Sequence, residues 1–171
     1  MHALSSSILS SFEDAILASR LTQTTPFLIP SLLIQFNLDF WLKRLRVAHA
    51  DIYNCEKLMG TRYDQPGDVD VGTLGIGRIS KVLHAVTADL AFMAWVGKNA
   101  DRQLEFLDGV AEKYADQAVL NGIEQEEADR VKVLLLETHA HLRSWKRGLE
   151  EWAEYLSKRA QVCVQTVSNF L

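Results

Sequence analysis

Apolar residues recur along this chain at alternating spacings of three and four, the period of helices that each bury one stripe. The most regular run is Ile34, Leu38, Trp41, Leu45, Ala48, Ile52, Cys55 and Met59, and every position in it is apolar. Phe36, Phe40 and Leu42 widen the stripe, so this helix is expected to touch more than one neighbour. Pro26 and Pro30 suit a first turn, and Gly60 can adopt the left-handed conformation that stops a helix. Together they predict a helix over 26–60.

A second seam runs through Ile79, Leu83, Val86, Leu90, Met93, Gly97, Ala100, Leu104, Leu107, Ala111, Tyr114 and Ala118, predicting a helix over 74–120. Gly97 and Gly109 each cost about 1 kcal/mol against alanine, so a break near 97–99 is the alternative. Asn121-Gly122 ends this helix, and Asn121 with Glu124 can cap the next. A third seam is assigned to Leu135, Thr138, Leu142, Trp145, Leu149, Trp152, Leu156, Arg159, Cys163, Thr166 and Phe170, predicting a long stalk-like helix over 122–171. Glu124, Glu126, Glu127 and Asp129 place negative charge at its positive dipole end. At Leu171 the apolar repeat is still running and no glycine, proline or basic stop signal appears, which suggests a truncated helix; a frayed natural end is the alternative.

Between the first two helices, 61–73 reads as a loop, with Pro66, Gly67, Gly72 and three aspartates. Upstream, Ser10 and Glu13 have capping-box spacing, and Ile8, Leu9, Phe12 and Ile16 share a face, so a short helix is expected within 1–20. The fold class is therefore all-α: three long antiparallel helices and a short N-terminal one in a coiled-coil-like bundle, forming a single helical domain over 1–171.

Composition agrees with a folded soluble chain, at 48% hydrophobic and 23% charged residues. A net charge of −4 with mixed signs offers no basic stripe for phosphates, so nucleic acid is not an expected partner. Cys55 and Cys163, 108 positions apart, fit a reducing compartment as small buried apolar groups. No Asn-x-Ser/Thr acceptor occurs, in keeping with a cytoplasmic location. The most apolar stretch, Phe27 to Phe36, is shorter than the roughly 20 residues a membrane span needs and is interrupted by Pro30, Ser31 and Gln35.

Candidate chemistry is sparse. Gly72 to Ser80 lacks the Gly-Lys-Ser/Thr ending of a phosphate loop, and Gly97-Lys98 is followed by Asn99 where a hydroxyl is required. Asp64, Asp68 and Asp70 lack the spacing of a calcium loop and read as a solvated acidic segment. Glu137 and His141, four apart, supply two ligands where a metal site needs more; His139 reads as solvated or partly packed and His84 as packing. No nucleophile, base and orienting residue are recognisable as a set, so no catalytic residue and no enzymatic activity is assigned. The four tryptophans read as large seam fillers. On these residues alone the chain is an interaction or stalk module.

The stretch from Trp152 to Leu171 resembles the stalk helix of fungal CorA-like proteins, relatives of magnesium and other divalent-cation transporters. That group has a Tyr-Leu-x-x-Arg turn leading into Gln-Val-x-Val-Gln-Thr-Val. Here Tyr155, Leu156, Arg159, Gln161, Val162, Val164, Gln165, Thr166 and Val167 stand in those places. Ser168 replaces a frequent aromatic, and Phe170-Leu171 replaces an aliphatic pair. Upstream, the Phe27 to Leu33 entry and the long helix with Glu56 and Gly60 near its end follow the same plan.

The resemblance implies a cytoplasmic stalk region that continues into a first transmembrane helix, a Gly-Met-Asn tripeptide and a second transmembrane helix, none of which this sequence contains. It implies Mg2+ or another divalent cation as the transported ion, with no cofactor otherwise and no assignable metal ligands. It implies self-association through helix seams, and membrane contact only through the segments absent here. A free-standing helical scaffold or adaptor is the alternative function.

Overall fold

A computed structural model describes residues 28–61 and 73–169. They form three helices with no strand among the described residues: α1 Leu28–Leu58, α2 Thr73–Leu120 and α3 Gln125–Ser168. The short helix expected within 1–20, most of the 61–73 segment with its three aspartates, and Phe170-Leu171 lie outside the described residues.

Two of the helix ends are closed in the way their glycines demand. Gly60 has φ 64° and Gly122 φ 87°, a left-handed conformation that carries a steric penalty for residues with a Cβ. At the end of α1 the Thr61 amide donates to the Glu56 carbonyl (3.1 Å) and the Gly60 amide to Lys57 (3.2 Å). At the end of α2 the Ile123 amide donates to Ala118 and the Gly122 amide to Val119, both at 3.0 Å. Each pair is a Schellman closure, which satisfies carbonyls that the helix itself leaves open. At the start of α3 it is Glu124, rather than Asn121, whose carbonyl takes the first helical amide, that of Ala128.

The α1 seam is as expected, with all eight predicted positions buried. The α2 seam is also buried apart from the half-buried Ala100 and Tyr114. In α3 the expected seam is half right. Leu135, Leu142, Leu149, Leu156 and Cys163 are buried, but their partners on the stripe are His139, Lys146, Ala160 and Val167. Those positions follow, by one residue, the expected Thr138, Trp145, Arg159 and Thr166, which are only half-buried. At 138 and 145 the apolar pattern favours the neighbour of a buried polar side chain whose partner lies on another helix, whereas at 159 and 166 the strict three-four spacing passes over the more apolar Ala160 and Val167.

α2 runs unbroken through Gly97–Asn99. Gly97 serves packing rather than bending: a Cβ there would lie 2.7 Å from Trp41 Cη2 and 2.7 Å from Glu150 Oε1. The aromatic ring occupies the space that any side chain would need. Gly75 to Ser80 is likewise ordinary helix.

Contacts group the chain into two compact units. Unit 1 comprises 1–39 and 98–146; unit 2 comprises 40–97 and 147–171. Within unit 1, Asp101, Asp108 and Glu112 on α2 meet Lys146, His139 and Lys132 on α3, so these helices run antiparallel. Within unit 1, Ala115, Ala118 and Ala128 form one buried cluster and Leu28, Ala111 and Leu135 another, and Ile34, Leu38, Leu104, Leu107 and Leu142 are buried as well. Within unit 2, His49 meets Trp152 and Glu56 meets Arg159, so α1 and α3 run parallel there. Buried in unit 2 are, among others, Trp41, Leu45, Ile52, Leu83, Met93 and Leu156.

One expectation about hydropathy changes. Between Ile79 and Val96 the charged residues are Lys81 and Asp89 alone. By length and composition Gly75–Leu120 is apolar enough to cross a membrane, and only 28% of its most apolar window is buried within the fold. The earlier expectation rested on uninterrupted apolar runs, and scattered polar residues hide this helix from such a test.

Candidate functional site

Polar side chains converge at two places, one in each unit. In unit 1, Ser31 near the start of α1 and His139 in α3 are each only 1% exposed. The imidazole lies between two oxygens, with Nε2 2.9 Å from Ser31 Oγ and Nδ1 2.8 Å from Asp108 Oδ1. A carboxylate only accepts, so Nδ1 donates to Asp108, which leaves Nε2 to pair with the Ser31 hydroxyl. Arg143 donates to the other Asp108 oxygen. One turn further on, buried Lys146 donates to Asp101 at 2.8 Å.

Three helices thus assemble a serine, a histidine and an aspartate in the connectivity of a hydrolytic triad. No such set was recognisable in the sequence, because its members lie 108 and 31 residues apart. A nucleophile must also meet its substrate, and the Ser31 hydroxyl is sealed from solvent. The network satisfies buried polar groups that would otherwise each cost about 1–3 kcal/mol. His139 is accordingly a core residue and not the solvated or partly packed one expected.

The other sequence candidates disperse. Glu137 and His141 are exposed, and His141 leans on Trp145 at 6.5 Å instead of sharing a metal. His84 is exposed, contrary to the packing role expected of it. Among the described residues no three His, Cys, Asp or Glu side chains gather as metal ligands. Trp41 fills the seam and Trp145 and Trp152 are half-buried, but Trp95 is 61% exposed, which corrects its reading as a seam filler.

In unit 2 the polar convergence joins the end of α1 to α3. Arg159 of the Tyr-Leu-x-x-Arg turn donates through Nε to Glu56 Oε1 at 3.0 Å and through Nη2 to Oε2 at 2.5 Å. This fork-to-fork pair is the strongest geometry available to a guanidinium and a carboxylate. Its hydrogen bonds to Glu56 push the Arg159 pKa above the ordinary arginine value. The Tyr155 ring lies 5.4 Å from the guanidinium, within cation–π range. A cavity of about 270 Å³ opens beside the pair, walled by Thr61, Tyr155, Val162, Cys163 and Thr166. Burial, with Glu56 and Cys55 nearby, pushes the Cys163 thiol up to about 11, and burial with Asp51 and Glu56 raises Cys55 as well. Both thiols are held protonated at neutral pH, as small buried groups.

The sequence signalled Arg159 as a departure from the apolar seam. Its partner Glu56, 103 residues away, could be found only through the fold. Together, the described residues define an all-α helical bundle. No protein-family model, no curated protein and no solved structure matches the chain.

Proposed function

We propose that this chain is the cytoplasmic helical stalk region of a CorA-like divalent-cation transport protein, with a structural and regulatory role rather than a catalytic one. The observation that carries the reading is the Glu56–Arg159 pair. It joins the arginine of the stalk-like motif to the glutamate at the end of the first long helix, two positions that the resemblance had singled out separately. A bidentate, largely desolvated ion pair has one good geometry. α1 and α3 are therefore held in one register within unit 2, and sliding one past the other requires this pair to open. Coupling cation occupancy to a pore needs an element with such discrete arrangements. α3 supplies the other requirement, an unbroken helix from Gln125 to Ser168.

The test is the reading frame beyond the Leu171 codon in the native transcript. Two apolar segments of about 20 residues with Gly-Met-Asn between them are expected. A stop codon at that point would overturn the transporter reading in favour of a free-standing helical scaffold or adaptor.

A further inference from the structure

On unit 2, α1 and α2 together present a face that does not suit water. Phe40 of α1 and Phe92 and Trp95 of α2 are 44%, 51% and 61% exposed. They form one connected patch. The Arg44 guanidinium lies 5.6 Å from the Phe40 ring and 6.0 Å from the Phe92 ring, and Phe92 and Trp95 are 5.9 Å apart. Arg44 is anchored in the middle by a hydrogen bond from Nε to Asp89 Oδ2 at 3.0 Å. On α2 the patch continues along an exposed stripe with helical spacing: Arg78, Lys81, Ala85, Ala88, Phe92 and Trp95. Lys43 lies on the exposed side of α1 between Phe40 and Val47, the latter itself 61% exposed.

The stripe is thus basic at one end, free of charge in the middle and aromatic at the other, and α2 is the helix whose most apolar window is only 28% buried. Broad aromatic exposure joined to lysine and arginine is the chemistry of an interfacial helix. Rings enter the boundary between headgroups and acyl chains, and the cations meet anionic headgroups. On a chain of net charge −4 this local excess of cations is set against the overall balance. We propose that the Phe40–Phe92–Trp95 face, with Lys43, Arg78 and Lys81, docks peripherally on an anionic bilayer surface. This contact is independent of any transmembrane segment and of the transporter reading.

The full chain is floated with phosphatidylcholine vesicles with and without phosphatidylserine. Association is expected with the phosphatidylserine vesicles only, weakened by added salt, and accompanied by a blue shift of tryptophan emission. Removing two cations, Lys43→Ala with Lys81→Ala, is expected to weaken association about twenty-five-fold, at roughly fivefold per cation. Phe92→Ser with Trp95→Ser is expected to abolish both the flotation and the blue shift. All four side chains are exposed, so the helical circular dichroism should be unchanged; a variant that loses it is replaced by Trp95→Ser alone, read by the same emission shift. No flotation with either vesicle, or flotation that both double variants retain, overturns the proposal. Failure to float combined with capture of an acidic amphipathic helical peptide overturns it in favour of a protein partner.

Discussion

The two units solve the same problem with different materials. Unit 1 combines buried leucines (Leu38, Leu104, Leu135 and Leu142) and alanines with a hydrogen-bonded chain of buried Ser31 and His139 and half-buried Asp108. Unit 2 buries Trp41, Leu45, Ile52, Leu83 and Met93, and makes room for the largest of them by leaving position 97 without a side chain. Both units bury large apolar side chains; unit 1 adds a sealed serine–histidine contact, and unit 2 the close fit of Trp41 against Gly97. Both units carry exposed aromatic rings, Phe106 in unit 1 and Phe40, Phe92 and Trp95 in unit 2, and within unit 2 the Glu56–Arg159 pair fixes the register of α1 against α3.

The sharpest way to break the contrast is Trp41→Ala. It empties the space that Gly97 opens, and the loss should be about 3–5 kcal/mol, measured by urea unfolding followed by circular dichroism. A loss below about 1 kcal/mol would mean that the fit of Trp41 against Gly97 contributes little to unit 2. Next in size is His139→Ala, expected to cost about 2–3 kcal/mol because it strands the Ser31 hydroxyl and one Asp108 oxygen and leaves a void. Here a double-mutant cycle with Ser31→Ala should give coupling of about 1 kcal/mol. Additive effects would reduce the network to simple packing.

These two variants also mark what the sequence could and could not reveal. Trp41 lies in a run where every seam position is apolar, so the α1 stripe could be read directly, and Gly60 and Gly122 announced their turns because few other residues adopt their φ. His139 and Lys146 were passed over because Thr138 and Trp145 beside them look more or equally suited to a core. What reverses that choice is Asp108 and Asp101 on another helix, 31 and 45 residues away. A period can be read from one strand of sequence; the partner that makes a buried charge tolerable cannot. Glu56 escaped for the same reason.

A smaller effect tests the buried thiols of unit 2. The Cys163 pKa is raised from 9.0 to about 11 by burial, so the folded state holds this proton more tightly than the unfolded chain. The resulting stabilisation is fully present below pH 9 and is lost as pH climbs from about 9 towards about 11. Relative to the native chain, Cys163→Ala should therefore show a flatter decline of stability across that window, in urea unfolding at fixed pH steps. Parallel declines would place the thiol in contact with water. The smallest effect is expected for Trp95→Ala, within about 0.5 kcal/mol, since the ring is 61% exposed. Set beside Trp41→Ala, it gives two tryptophans of one unit with opposite consequences. A large loss at Trp95 would show the aromatic face to be part of the core after all.

Glu56 has two duties that are normally held by separate residues. Its main-chain oxygen receives the Thr61 amide that seals α1, while its side chain grips Arg159. Whatever pulls α3 along its axis therefore tugs on the last turn of α1 and loosens that seal. The exchange rate of the Thr61 amide with deuterated solvent becomes a gauge of tension between the two helices, readable at a single backbone proton.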